Sequence, residues 1–129
     1  MTDEPDLARP ALQQAGDAII VVNTRGIIRE WNDRCVATFG FTPEQAIGQD
    51  VKLIIPERLR DAHDRGFFAA MEAGHLHSDG QPRRTKGLTA TGDTVYVTMS
   101  FAVVNDEDAG PSIGSVAVAR TEPPRQPGA

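Results

Sequence analysis

Val95-Tyr96-Val97-Thr98-Met99-Ser100-Phe101-Ala102-Val103 (residues 95–103) is the stretch whose reading decides the fold. Apolar side chains at 95, 97, 99, 101 and 103 alternate with Tyr, Thr, Ser and Ala, the period of a strand with one face on a core. Thr91-Gly92-Asp93 ahead of it is a hairpin turn, so residues 82–90 are predicted as the partner strand. Beyond it, residues 105–111 read as a long acidic loop. Residues 112–120 read as the last strand, built around Val116 and Val118. Three strands therefore close the chain.

The first half alternates differently. A short amphipathic helix is predicted over residues 7–15, with Gly16 as its stop. Asp17-Ala18-Ile19-Ile20-Val21-Val22-Asn23 is a β-branched strand that turns at Thr24-Arg25-Gly26 into Ile27-Ile28-Arg29-Glu30-Trp31. Asn32 or Asp33 caps a helix over residues 34–39 that Gly40 ends. Thr42 and Pro43 start a further helix, stopped by Gly48. A longer helix starts with Pro56 in its first turn and stops before Gly74. Two strands, several helices and three strands make an α+β domain: an antiparallel sheet with helices on one face.

That longer helix carries Leu59, His63, Phe67 and Ala70 on one face. A histidine in an apolar stripe is either a buried side chain with a protein partner or a ligand for something held under the helix. Its sequence neighbour Asp64 points about 100° away around the helix and is a poor partner.

The 129 residues fit one domain with one core. The expected divisions are an N-terminal cap segment (1–15), the domain proper (16–121) and a disordered tail or truncated linker (122–129) with three prolines. Net charge is −5 with scattered basic residues, so neither nucleic acid nor an anionic membrane is an expected partner. No apolar run approaches a membrane span, and the acidic N-terminus is unlike a signal peptide. A single cysteine fits a reducing, cytoplasmic setting and excludes an internal disulfide. The three histidines lack zinc spacing. Phosphate-cradling glycine loops and a serine elbow are absent, so a regulatory domain is expected rather than an enzyme.

Six short words in this order resemble the PAS family of sensory domains. They are Asp17-Ala18-Ile19-Ile20-Val21-Val22, Gly26-Ile27-Ile28, Trp31-Asn32, Phe39-Gly40-Phe41-Thr42-Pro43-Glu44, Ile47-Gly48 and Ile54-Ile55-Pro56-Glu57. The likeness covers roughly residues 8 to 120 and implies a five-stranded antiparallel sheet whose one face is covered by short helices and one long helix. Flavin-adduct members carry an Asn-Cys-Arg word before the long helix. Here that region is Gly48-Gln49-Asp50-Val51-Lys52-Leu53, so no photoadduct is expected, and Cys35 is read as a small core residue.

Within the family, the long-helix region is similar to the haem-binding domains of the rhizobial FixL oxygen sensors. Leu53-Ile54-Ile55-Pro56-Glu57, Arg60, His63-Asp64 and Met71 carry that likeness. It implies His63 as axial ligand to a haem b iron, Arg83 as hydrogen-bond donor to bound oxygen, Met99 and Phe101 as distal wall, and His77 near a propionate. Phe67 and Gly66 then border the macrocycle. Strand parity adds Arg84 as a rival to Arg83: if Leu88 and Ala90 point inward, Arg84 does too, unless a bulge near Gly87 reverses the order. Met99 is either a core residue or a second iron ligand.

Three functions follow as expectations. The first is a haem sensor of a diatomic gas or of redox state, signalling to a downstream domain or protein in cis or trans. The second is a haem-free module for homodimerisation or docking. The third is a domain binding flavin or another small molecule.

Overall fold

The computed structural model describes residues 4–76, 79–107 and 110–122; His77 and most of the expected tail lie outside them. β1 (Ala18–Asn23) and β2 (Ile28–Trp31) form the first hairpin. At its turn the Asn23 carboxamide oxygen accepts from the amides of Arg25 and Ile27, and Gly26 takes a φ of 79°. The sheet is antiparallel throughout, in the order β2-β1-β5-β4-β3, with β3 at Arg83–Leu88, β4 at Thr94–Asn105 and β5 at Ser112–Thr121. The last strand therefore lies in the middle.

Helices α2 (Asp33–Phe39) and α3 (Pro43–Ala46) and a 3₁₀ turn at Val51–Ile54 pack on one sheet face. Thr42 and Gln45 form a full capping box on α3, which ends at Ala46, short of Gly48. Trp31 and Phe39 centre the core with Ile20, Ile28 and Val97, and the Trp31 indole donates to the Phe41 carbonyl at 2.8 Å. Cys35 is fully buried, its thiol donating to the Ile19 carbonyl; burial pushes its pKa up to about 12, which leaves it inert.

Asn32 ties the first third of the chain together. Its oxygen accepts from the amides of Ile19 (2.9 Å) and Cys35 (3.2 Å); its nitrogen donates to the carbonyls of Leu12 (2.9 Å) and Asp17 (3.0 Å). The expected N-terminal helix is present as α1 (Ala8–Gln14), with no fully buried residue and Leu12 half-buried. The bond to the Leu12 carbonyl and the Arg9–Glu30 ion pair at 3.0 Å tie it to the domain.

Register corrects two readings of inward faces. Gly87 pairs with Val95 and Arg83 with Met99, without a bulge between them, so positions 83, 85 and 87 face the core and Leu88 faces out. Gly87 is required because a Cβ there would lie 2.8 Å from Phe39 Cε1 and 3.3 Å from Val95 Cγ1. Gly87→Ala should cost about 2 kcal/mol by overpacking; an unchanged urea midpoint would mean that Phe39 yields freely. In β5, Val116 and Val118 turn to the outer face, and Ser115, Ala117 and Ala119 point inward.

Candidate functional site

The long helix is α4 (Arg60–Ala73), entered through a 3₁₀ turn at Glu57–Leu59 that follows Pro56. Gly74, at φ 78°, ends it. Only Ala70 of its fourteen residues is buried, so the helix stands off the sheet. Its far end is pinned: Ser112 Oγ donates to the Met71 carbonyl, and Asn105 Nδ2 donates to the Gly74 carbonyl at 3.2 Å. Beneath lies a cavity of about 310 Å³, at the lower end of the range for ligand pockets. Its depth comes from sequence: α4 offers Ala62, Gly66 and Ala70, and the central strand offers Ser115 where its row neighbours are Val22 and Val103. A Cβ on Gly66 would meet nothing within 4 Å.

His63 and Phe67 form one wall, and Phe101 and Ser115 the other. The same four residues border a second void of about 30 Å³ that reaches Ile20 and Val51. The rings of His63 and Phe67 stack at 5.9 Å and 12°. Phe67 also reaches the first hairpin, 3.7 Å from where a Cβ on Gly26 would sit.

The His63 Nδ1 atom is buried and has no hydrogen-bond partner. Asp64 Oδ1 lies 3.6 Å from it, too far for a hydrogen bond but close enough to act through its charge. Asp64 is engaged with Lys52 Nζ at 3.0 Å, which holds its carboxyl below the usual range. Burial lowers the pKa of His63 below its ordinary 6.5, and Asp64 only partly opposes this, so the imidazole is neutral at neutral pH.

A folded-state pKa below the unfolded one means that the unfolded chain takes up the proton first. Stability is then complete above about pH 6.5 and is lost as pH falls from there towards the folded value. His63→Gln should flatten the fall in melting temperature between pH 7.5 and 5.5. An unaltered slope would show that the imidazole is not desolvated.

The other expected site residues separate. Phe101 lines the cavity, and Arg83 lies at its exposed edge. Arg84 is on the opposite face, its guanidinium carbon 5.0 Å above the Tyr96 ring, which Lys86 Nζ also approaches at 5.6 Å. Arg84 is thus removed from the pocket, because the strand runs straight through Gly87. Met99 faces inward but is packed in the core, away from the cavity lining. His75 follows α4, with Nδ1 3.3 Å from the Ala73 carbonyl. Ser115, Val103 and Leu76 line the cavity without having been expected there. The signal for Ser115 was its parity with Ala117 and Ala119.

Among the described residues no three His, Cys, Asp or Glu side chains converge on one point. A metal on His63 would need its remaining ligands from a cofactor. The apolar walls and the neutral imidazole fit haem in kind. Among the described residues no helix is long and apolar enough to cross a membrane.

The sequence profile of the PAS fold matches residues 8–120. Sensor protein FixL of Bradyrhizobium diazoefficiens is 30% identical over 93 residues, 72% of this chain and 18% of that protein. Oxygen sensor protein DosP of Escherichia coli is 25% identical over 98 residues, 76% of this chain and 12% of that protein. The chain thus spans less than a fifth of the length of these relatives. The crystal structure of a PAS domain from Colwellia psychrerythraea superposes with a TM-score of 0.75 at 20% identity, covering 90% of this chain and 94% of that one. With a five-stranded antiparallel sheet, helices over one face and a profile match across most of its length, this chain belongs to the PAS family of sensory domains.

Proposed function

We propose that this sensory PAS domain binds haem b through His63 and senses a diatomic gas, oxygen first, or redox state. The observation that carries the reading is the imidazole itself: neutral, buried at Nδ1 without a hydrogen-bond partner, and on the wall of an apolar cavity. FixL and DosP, both named as sensors, are distant relatives, and their names supply the kind of signal.

When bound, haem iron supplies a reversible site for a gas or an electron. This chain's residues do the rest. His63 presents a ring nitrogen from a rigid helix. Phe101 and Val103 keep the opposite wall dry. Arg83, at the open edge, offers a guanidinium to a polar group there. Because Arg83 sits on edge strand β3, a change in its contacts is passed to the β3–β4 hairpin and to the Arg84–Tyr96–Lys86 cluster on the outer face. A linked signalling domain or a second copy of the chain meeting that face would receive it.

The test is titration of the purified protein with hemin, followed by absorbance. Saturable growth of an intense violet band at one equivalent supports the reading. A protein that ignores hemin overturns it. A second reading, a smaller apolar ligand, is favoured by the 310 Å³ volume with Phe67 stacked on His63. Yellow protein releasing flavin on denaturation would instead point to the flavin-binding alternative.

A further inference from the structure

Ser115 is the one polar side chain that the central strand turns into the core. It is 7% exposed, borders both voids, and faces the wall formed by His63 and Phe67. Its row neighbours in the sheet are Val22 and Val103. It is not among the buried atoms left without a partner, so the hydroxyl stands open to the void it borders. At such a position valine suits a strand better and fills more volume. Serine is thus the less favourable choice for the empty fold, a pattern expected where a site is kept at the expense of stability.

We propose that Ser115 is a ligand-contacting residue: its hydroxyl is the hydrogen-bonding group through which the cavity selects an apolar occupant that turns a polar atom towards β5. This rests on the cavity being the ligand site and does not require the occupant to be haem. On the sheet wall the hydroxyl is independent of Arg83, which stands at the open edge. The two can therefore hold different parts of one ligand.

The experiment compares wild type, Ser115→Ala and Ser115→Thr. Without ligand, Ser115→Ala should melt no lower than wild type, which separates a ligand contact from a structural one. Phenol and toluene, nearly the same shape, are titrated by NMR. Losing one hydrogen bond should weaken phenol about five-fold in Ser115→Ala and leave toluene unchanged, with Ser115→Thr restoring phenol. If the protein takes hemin, the C–O stretch of carbon monoxide added to the reduced complex should shift in Ser115→Ala and return in Ser115→Thr. Either the phenol-selective loss or the shifted stretch supports the proposal. Absence of both, including failure of the wild type to bind phenol and hemin alike, overturns it, as does a Ser115→Ala protein that melts lower when empty. Hemin ignored but phenol selectively lost would remove haem and leave Ser115 standing.

Discussion

His63→Ala is expected to abolish the stoichiometric hemin complex while leaving the empty domain folded. Loss of a residue that merely supports a metal ligand costs 10- to 100-fold in affinity, so loss of the ligand itself should cost at least about 100-fold. The residual signal should resemble hemin adsorbed on any apolar surface, broad and non-saturating. The fold should survive because His63 lies outside the main core and makes no hydrogen bond through Nδ1. Its removal forfeits the stacking on Phe67 and little else. Arg84→Ala is the control, since that side chain is on the far face. Hemin bound equally well by wild type and His63→Ala would place the ligand elsewhere, and hemin lost in Arg84→Ala would contradict the register of β3.

Asn32→Ala should be the most destabilising substitution among those considered, by about 4 kcal/mol. The side chain is fully buried, and its two donors and two acceptor sites are all used. Alanine removes the cap of α2 and strips hydrogen bonds from two amides and two carbonyls. Asn32→Asp keeps the shape but sets a carboxylate oxygen against the carbonyls of Leu12 and Asp17. Burial and that repulsion raise its folded pKa above the unfolded one, so the native state gains the proton first and stability rises as pH falls through the folded value. Urea melts at pH 7.5 and 5 would read both effects. Hydrogen exchange should show α1 opening ahead of the sheet in Asn32→Ala, because few other contacts hold it. A loss below about 1 kcal/mol would mean that water replaces the side chain.

Much of this fold was legible where one residue type dictates one outcome. The alternation over residues 95–103 names a half-buried strand, Thr42-Pro43 with Gln45 a capped helix start, and Gly74 a helix end. The site was legible in part. His63 and Phe67 follow from helix period alone, and both border the cavity. Parity over short strands was less secure, because it needs one anchored residue. Taking Leu88 as inward misplaces the arginines, and only the Val95 pairing of Gly87 reveals that a glycine occupies the inward place. Val116 and Val118 misled for a different reason. Branched side chains suit either face of a strand, whereas the small residues between them mark the side where space is needed. Met99 shares a face with Phe101 but lies one row further from the cavity, and rows are set by pairing across strands. The bond of Asn32 to Cys35 is the cap that the local pattern names, but those to Leu12, Asp17 and Ile19 bring distant segments together, which no local pattern encodes.

The place of β5 in the middle of the sheet also sets a timetable. Ala18 pairs with Ala119, and Val22 with Ser115, so the first strand finds its second neighbour only when about 100 further residues have been made. Until then the β1–β2 and β3–β4 hairpins each expose an edge that the last strand will cover. Closure over such a separation is slow. A nascent chain stalled before residue 112 would hold two half-sheets with open edges, the state in which this domain is most exposed to pairing with another chain.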